Sequence, residues 1–128
     1  MIWLDSSFAI EWLLGTNRAA KSPFKTQQAC LLPAQYAEIL VYFGKKIADI
    51  SPVVEQLESL DLGVADREEL QLAANLYLRG RKLTDKVSLA DSILAAVSHK
   101  RKEALLSFDS DFKYLGLTEK EGLWTIVA

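Results

Sequence analysis

Short apolar runs alternate with helix-forming segments along this chain, and this alternation constrains the fold more than any other feature of the sequence. The predicted strands are residues 1–5, 29–32, 60–64, 104–108 and 123–127. The predicted helices are residues 6–14, 33–47, 52–59, 66–79 and 88–99, with a short helical turn at 111–115. Because strands that are separated by helices form parallel sheets with helices on both faces, we predict an α/β protein, a three-layer α/β/α sandwich with a central parallel sheet.

Several residues mark the ends of the predicted helices. Gly15 ends the first helix, and Pro33 suits the first turn of another. The sequence DREE, which begins at Asp66, matches an acidic capping box. The segment 16–28 is polar and contains Pro23, so it is predicted to be a loop or a short irregular helix.

Length and composition narrow the class of protein. A chain of 128 residues can bury one core, so residues 1–128 are predicted to form one domain. The only cysteine, Cys30, cannot form an internal disulfide, and Asp5 interrupts the apolar start before it reaches the length of a signal peptide. No apolar run approaches the roughly 20 residues of a transmembrane helix. We therefore expect a cytoplasmic protein without a membrane span.

The charge balance bears on nucleic-acid binding. The chain has 15 basic and 17 acidic residues, a net charge of -2, which by itself argues against a nucleic-acid partner. If a metal site neutralised four acids, however, 15 basic residues would face 13 acidic ones. Basic clusters occur at residues 45–46, 79–82 and 100–102, although cations at solvated helix ends are the simpler interpretation of each cluster taken alone.

Four acidic residues are candidates for a common site. Asp5 ends the first predicted strand and Asp109 follows the fourth, so both should lie at the edge of the sheet where ligands bind. Asp91 lies in the first turn of its helix, and Glu38 lies beside the apolar stripe of the helix 33–47. That stripe is predicted from Ala37, Leu40, Phe43 and Ile47.

Each of these acids also has an ordinary structural interpretation. Asp5 and Asp109 could cap helices, Asp91 could pair with Ser88 in a capping box, and Glu38 could be a surface residue. Taken together they favour a metal site, because clustered carboxylates repel one another unless a cation lies between them. Ligands that are all oxygen favour Mg²⁺ or Mn²⁺ over zinc, and such an ion can activate a water molecule to attack phosphorus.

Other chemistries have less support in the sequence. With His99 and Cys30 as the only residues of their kinds, a zinc site is implausible. The six glycines form no phosphate-binding loop and no dinucleotide-binding fingerprint. The tryptophans Trp3, Trp12 and Trp124 are interpreted as core or interface residues rather than as a platform for base stacking.

Four short segments are distributed over nearly the full length of the chain. In order, they are MIWLDSS, PAQYAEIL, SLADSILAA and LLSFDSDF. The chain resembles the PIN-domain family through these segments, and in particular the short VapC-like toxin ribonucleases of bacterial toxin–antitoxin modules. The resemblance implies an α/β/α sandwich with a central parallel sheet. It also implies an endoribonuclease that depends on Mg²⁺ or Mn²⁺.

The resemblance assigns roles to individual residues. The acids of the family's metal site fall on Asp5, Glu38, Asp91 and Asp109. Hydroxyl positions of the family fall on Ser6 and Ser107, and Asp111 would cap the short helical turn or support the site from outside. Lys45 and Lys46, at the far end of the helix that carries Glu38, are candidate contacts to RNA phosphates.

The resemblance also implies partners. Proteins of this kind form homodimers, cleave structured RNA and are held inactive by a cognate antitoxin. Two other functions stay open at this point. One is a non-catalytic RNA- or protein-binding module, and the other is a receiver-like phosphoacceptor domain, for which the sequence lacks a convincing lysine at a strand end.

Overall fold

The computed structural model describes residues 1–20, 26–120 and 123–126. The strands are β1 (Ile2–Leu4), β2 (Ala29–Leu31), β3 (Asp61–Leu62), β4 (Leu105–Leu106), β5 (Leu117–Lys120) and β6 (Leu123–Ile126). The helices are α1 (Ser6–Leu14), α2 (Asn17–Ala20), α3 (Pro33–Gly44), α4 (Ser51–Leu57), α5 (Arg67–Arg81) and α6 (Leu89–Arg101). Two 3₁₀ turns lie at Thr26–Gln28 and Ser110–Leu115.

All six strands form one sheet in the order β3-β2-β1-β4-β6-β5. The strands β3, β2, β1 and β4 pair with one another in parallel, whereas β6 runs antiparallel to both β4 and β5. The α/β sandwich is therefore confirmed, and the sheet is parallel apart from one edge. The last strand departs from the parallel pattern because it forms an antiparallel hairpin with β5, a strand that the sequence did not predict.

Alternation along the strands divides the core into two layers. Trp3 and Leu105 point to one face of the sheet, where they pack with Leu94 of α6. Leu4 and Leu106, the next residues in each strand, pack on the other face with residues of α1 and α3. Because side chains of a strand alternate between the faces, these two short strands supply both interfaces of the sandwich.

Two helix starts follow the capping signals in the sequence. Asp66 accepts a hydrogen bond from the Glu69 amide at 2.8 Å, and Glu69 accepts one from the Asp66 amide at 2.9 Å, so the predicted capping box is confirmed. Ser88 caps α6 by accepting a hydrogen bond from the Asp91 amide at 3.1 Å. Arg101 at the end of α6 binds the buried Glu69 at the start of α5, with Nε to Oε2 at 2.8 Å. The two helices therefore run antiparallel.

Other predicted boundaries differ from the structure. α3 ends at Gly44 rather than at residue 47, and its buried residues are Gln35, Ile39 and Phe43. The apolar stripe predicted from the sequence is thus rotated, because Ala37 and Ile47 are exposed. The segment 16–28 contains α2 and a 3₁₀ turn, while residues 21–25, with Pro23, and residue 127 lie outside the described residues. In the described ranges, no helix combines the length and apolar character needed to cross a membrane.

Candidate metal centre

Asp5 lies directly after β1 and is almost completely buried, with 3% of its surface exposed. Leu4 of β1 is in register with Leu106 of β4, so the next residues, Asp5 and Ser107, lie side by side at the carboxyl edge of the sheet. The Oδ2 atom of Asp5 accepts hydrogen bonds from the hydroxyls of Ser7 and Ser107, each at 2.8 Å. Asp5 makes no side-chain capping bond to α1, so the capping interpretation of this residue is wrong.

The two hydroxyls are themselves held by backbone amides. Phe108 N donates to Ser7 Oγ at 3.1 Å, and Asp109 N donates to Ser107 Oγ at 2.9 Å. Because a hydroxyl has one hydrogen, both hydrogens are used for Asp5, and the 3.2 Å separation of the two Oγ atoms is a contact rather than a third hydrogen bond. The arrangement stabilises the charged form of Asp5.

Ser7 is a member of the site that the sequence reasoning missed. The prediction assigned the hydroxyl next to the first aspartate to Ser6, whereas Ser7 is the residue that binds Asp5. A hydroxyl two residues after an aspartate often forms a local side-chain hydrogen bond, and this spacing could have pointed to Ser7. Ser107 was predicted as a supporting residue, and the structure brings it to Asp5.

Burial raises the pKa of Asp5 above its ordinary value, while the hydrogen bonds from Ser7 and Ser107 lower it. The charge of Asp109 raises it further. The surroundings of Asp5 therefore disfavour its charged form, and the hydrogen bonds from the two hydroxyls partly offset this effect.

Asp91 reaches the same edge of the sheet from the first turn of α6. Burial raises the pKa of this half-buried carboxyl to about 7, and the charges of Asp5, Asp109 and Glu38 raise it as well. A hydrogen bond with Ser88 acts in the opposite direction. Asp91 thus interacts with all three of the other predicted acids.

Glu38 reaches the site from the second turn of α3. Partial burial raises the pKa of its carboxyl, and the charge of Asp5 raises it too, while a hydrogen bond with Ser6 lowers it. Ser6 therefore lies at the site, where its side chain hydrogen-bonds to Glu38 and its backbone hydrogen-bonds to Asp5. Glu38 is more than an isolated surface residue, because it interacts with two of the other acids.

Asp109, rather than Asp111, caps the 3₁₀ turn. Asp109 Oδ1 accepts a hydrogen bond from the Asp111 amide at 2.9 Å, which confirms the capping interpretation of Asp109, and of the two roles considered for Asp111 the cap is wrong. Partial burial and the neighbouring Asp109 raise the pKa of Asp111, while Lys86 and Lys113 lower it. Asp111 therefore lies at the outer side of the site, beside cations.

The donor chemistry of the cluster fits a hard divalent cation. Its four carboxyls offer only oxygen, His99 hydrogen-bonds through Nε2 to Leu115 O at 3.0 Å, and Cys30 is buried with its pKa raised to about 11. The carboxyls repel one another electrostatically. Among the described residues, however, no three side chains of His, Cys, Asp or Glu lie close enough together to coordinate one metal ion. The oxygen donors of these residues therefore fit Mg²⁺ or Mn²⁺.

Lys45 and Lys46 lie at the end of α3, away from the acids. They line a groove of about 670 Å³ that also includes Ser6, Glu38 and Tyr42. Lys46 Nζ lies 4.8 Å from the centre of the Tyr42 ring. The structure thus connects the two predicted phosphate contacts to the acidic cluster through one continuous groove.

Comparison with known protein families gives a match to the PIN domain over residues 2–116. The chain belongs to the PIN domain family. No curated protein matches it with significance. Membership of the PIN family confirms the resemblance drawn from the four sequence segments and excludes the receiver-like interpretation.

Three solved structures share the fold of this chain at low sequence identity. A toxin–antitoxin complex from Klebsiella pneumoniae aligns with a TM-score of 0.71 and 16% identity, covering 88% of this chain and 90% of that chain. Mycobacterium tuberculosis VapC20, described as a toxin that cleaves the sarcin–ricin loop, aligns with a TM-score of 0.69 and 18% identity. The alignment covers 94% of this chain and 98% of VapC20. FitAB bound to a DNA fragment aligns with a TM-score of 0.73 and 16% identity, covering 90% of each chain. The PIN fold of this chain is therefore shared with these proteins over most of its length.

Proposed function

We propose that this PIN-family protein is an endoribonuclease that depends on Mg²⁺ or Mn²⁺ and is the toxin of a toxin–antitoxin pair. One observation carries the proposal. Carboxyls from four separate parts of the chain influence one another electrostatically at the carboxyl edge of the sheet, and the pKa of Asp91 is raised by each of the other three. Buried like charges are costly, and their accumulation at one place is typical of a functional site.

The residues of the acidic cluster have different roles in the proposed reaction. Asp5, held by Ser7 and Ser107, and Asp91 would bind the ion most directly, while Glu38 and Asp109 would complete the acidic cluster and orient or deprotonate the attacking water. A bound divalent ion would supply an activated water and stabilise the leaving oxygen. Ser107 keeps Asp5 oriented by donating to Oδ2 at 2.8 Å.

Contacts to RNA are proposed at the end of α3. Lys45 and Lys46 carry two positive charges at one end of the groove that leads to Glu38. Phosphate contacts of this kind fix the position of a nucleic acid but do not read its sequence. The description of VapC20 as a toxin that cleaves an RNA loop supports RNA as the substrate class.

A cognate antitoxin is the proposed protein partner, and a homodimer is the proposed assembly. The solved toxin–antitoxin complex from Klebsiella pneumoniae supports the proposal of an antitoxin. For the second, several large apolar side chains are exposed on α5 and on the segments before and after it, among them Val64, Leu70, Leu78 and Leu83. Because RNA and a cognate antitoxin are found in the cytoplasm, this is the proposed location of the protein.

A non-catalytic RNA- or protein-binding module is the alternative, and one observation favours it. Among the described residues no three carboxylates form a ready metal cage. A protein that had kept the acidic edge without catalysis would bind RNA and leave its length unchanged. Metal titration followed by electrophoresis of the RNA separates the two functions.

Replacing Asp5 by asparagine tests the proposed nuclease. Asp5→Asn keeps the shape of the side chain and removes the charge around which the other carboxyls are arranged, so we expect RNA cleavage in Mn²⁺ to fall by at least about 10³-fold with the fold retained. Asp61→Asn is the matched control, since Asp61 is an exposed aspartate of β3, the edge strand beyond β2. Cleavage that persists in Asp5→Asn, with the same metal dependence, would contradict the assignment.

A further inference from the structure

The indole of Trp124 donates a hydrogen bond to the backbone carbonyl of Ser107 at 3.2 Å. Trp124 lies on β6, which pairs with β4 so that Trp124 is opposite Leu105. Both residues belong to the core on the same face of the sheet. The indole N–H therefore reaches past its paired residue to the end of β4, where the acidic cluster begins.

Packing holds the ring of Trp124 in one orientation. The residue is buried, and its ring centre lies 6.0 Å from that of Phe112, a fully buried residue of the 3₁₀ turn that Asp109 caps. A buried indole N–H is costly without an acceptor, and the Ser107 carbonyl is its acceptor. The core thus presents this donor to the end of β4 in a fixed direction.

The acceptor belongs to a peptide group that is held at both ends. The Ser107 carbonyl and the Phe108 amide form one planar unit. Trp124 binds its carbonyl end, while the Phe108 amide donates to Ser7 Oγ at 3.1 Å. Because the unit is planar, a rotation that moved the carbonyl away from the indole would also turn the N–H away from Ser7.

Ser7 transmits this constraint to Asp5. Its oxygen accepts from the Phe108 amide, and its one hydrogen is donated to Asp5 Oδ2 at 2.8 Å. The direction of the hydroxyl is thus set by the amide that it accepts from. A continuous chain of hydrogen bonds and one peptide group connects the indole of Trp124 to the buried carboxylate of Asp5.

We infer that Trp124 is a positioning residue of the acidic cluster. Its indole N–H fixes the peptide that follows Ser107, and this peptide keeps the Ser7 hydroxyl directed at Asp5. The effect on the reaction rests on the proposed function, because Trp124 acts only through Asp5, which would bind the ion directly. The inference also gives the β5–β6 hairpin a role, since this hairpin carries Trp124 to the site.

Trp124→Phe removes the indole N–H and keeps an aromatic ring in the core. Trp3→Phe is the matched control, because Trp3 is buried on the same face of the sheet and its indole donates to Glu103 Oε1, also at 3.2 Å. Glu103 precedes β4, so this bond lies at the opposite edge of the sheet. Both substitutions remove one indole hydrogen bond and a similar volume, but only Trp124→Phe releases the peptide after Ser107.

Amide hydrogen exchange, followed by NMR in EDTA, measures the hold on the peptide without metal or RNA. The reference is the Asp5 amide, which donates to Leu106 O at 3.0 Å and reports general loosening of β1 against β4. Relative to this reference, we expect the Phe108 amide to exchange at least about tenfold faster in Trp124→Phe than in the wild type. Trp3→Phe should leave this ratio unchanged, and the same ratio in both variants would overturn the inference.

The coupling can also be measured with Trp124 in place, which keeps the inference testable if Trp124→Phe does not fold. Coupling between two sites is reciprocal, so Ser7→Ala should loosen the peptide and make the indole hydrogen of Trp124 exchange at least about threefold faster. Ser6→Ala is the matched control, because the hydroxyl of Ser6 bonds to Glu38 instead. Unchanged exchange of the Trp124 indole in Ser7→Ala would overturn the inference.

Binding of Mn²⁺ measures the consequence for the proposed metal site. By titration calorimetry we expect Trp124→Phe to raise the Kd of Mn²⁺ at least about fivefold and Trp3→Phe to change it by less than about twofold. RNA cleavage by Trp124→Phe at limiting Mn²⁺ should show a lower kcat with an unchanged KM for RNA, because Asp5 would act on the ion. Unchanged Mn²⁺ affinity together with faster exchange at Phe108 would overturn the role of Trp124 at the metal site.

Failure of the inference and failure of the proposed nuclease are distinguishable. If the wild type neither binds Mn²⁺ nor cleaves RNA, while Trp124→Phe speeds exchange at Phe108, the nuclease fails and the hold of Trp124 on the peptide stands. If the wild type cleaves RNA in Mn²⁺, while Trp124→Phe equals Trp3→Phe in exchange, Mn²⁺ affinity and kcat, the nuclease stands and the inference fails.

Discussion

Two opposing influences act on the carboxylate of Asp5. Burial and the charge of Asp109 raise its pKa, whereas the hydroxyls of Ser7 and Ser107 lower it. The hydroxyls cannot be replaced by water, because Asp5 is 3% exposed, so the stabilisation of its charge is built into the protein. A cation at this position would remove the remaining repulsion, which makes Asp5 the natural anchor of the proposed metal site.

Asp91 gives a prediction at the scale of one residue. Its pKa is raised to about 7 in the folded protein from 3.8, so the native state keeps a proton that the unfolded chain has released. This contribution to stability is complete below the unfolded pKa and is lost as the pH rises through about 7. In EDTA, the free energy of unfolding of the wild type should therefore fall between pH 4 and pH 8.

Asp91→Asn should remove most of that dependence. At pH 8 we expect the variant to be more stable than the wild type by about 1–2 kcal/mol, after allowing for solvent screening at a half-buried site. Urea denaturation at pH 5 and pH 8 measures the difference. Asp61→Asn, at the exposed β3, is the control and should follow the wild type.

The capping interpretation of Asp91 makes the opposite prediction. The structure assigns the cap to the Ser88 hydroxyl and the Asp91 amide, which the substitution keeps. Ser88→Ala should therefore cost about 1 kcal/mol at pH 5 and more at pH 8, where it also removes the hydrogen bond that favours the charged Asp91 carboxyl. If Asp91→Asn instead unfolds well below the wild type at pH 8, the carboxyl has a structural role and the repulsion argument is wrong.

At the scale of elements, the parallel pairing of β1 with β4 assembles the site. Asp5 and Ser107 follow Leu4 and Leu106, which are paired in the sheet, and α1 begins immediately after Asp5. A shift of register by one residue would turn Ser107 to the opposite face and remove its hydrogen bond to Asp5. The chemistry therefore depends on two very short strands being held in place.

Gly63 tests how tightly the sheet is packed beside β2. A Cβ atom at this position would lie 2.5 Å from Cη2 of Trp3 and 2.9 Å from Sγ of Cys30. Because Trp3 is only 1% exposed, its ring has little room to move, and Gly63→Ala should destabilise the protein by about 2 kcal/mol. Thermal unfolding measures the loss.

Gly44→Ala is the matched control for Gly63→Ala. A Cβ atom at Gly44, the last residue of α3, meets nothing within 4 Å. Alanine favours the helix, so this variant should be neutral or more stable by up to about 1 kcal/mol. Equal destabilisation by both substitutions would mean that contact with Trp3 is not the cause.

The sequence predicts elements well where a local signal decides them. The capping box of Asp66 and Glu69 and the αL residue Gly15 correspond to real helix ends. β5 was missed because only Leu117 of its four residues is buried, so its sequence lacks the apolar alternation of a strand and it exists through pairing with β6. α3 was predicted too long because Ile47 continues the helical period although it is exposed in the structure.

The sequence predicts the part of the site that follows from the position of residues along the chain, and it misses the part that depends on tertiary hydrogen bonds. The acids at the ends of strands could be recognised from position alone, since parallel strands bring their carboxyl ends to one edge. The hydrogen bond of Ser7 to Asp5 and the cap that Asp109 forms depend on the three-dimensional structure, and no periodicity in the sequence encodes those bonds.

At the scale of the whole molecule, cations lie near both ends of the acidic cluster. Five of the 17 acids, Asp5, Glu38, Asp91, Asp109 and Asp111, belong to this cluster, with Lys45 and Lys46 in the groove of Glu38 and Lys113 near Asp111. A net charge of -2 therefore conceals a negative centre between two positive flanks. Such a surface would attract a polyanion most strongly when the centre is neutralised.

Neutralisation of that centre gives a prediction for the folded molecule as a whole. Mn²⁺ should bind the native state, where the carboxyls are close, more tightly than the unfolded chain, and should raise Tm in a saturable way. At a hundredfold excess over Kd the gain is about 2.7 kcal/mol, which corresponds to roughly 8 °C for a protein of this size. Differential scanning fluorimetry at pH 8 with increasing MnCl₂ measures it.

Two controls separate specific binding from general screening. NaCl at matched ionic strength should raise Tm by much less, because screening acts weakly on buried charges. Asp5→Asn should lose most of the response to Mn²⁺, since it removes the most buried of the interacting carboxylates. A response to NaCl equal to that of MnCl₂, or a full response in Asp5→Asn, would mean that the four acids stabilise the protein without binding an ion together.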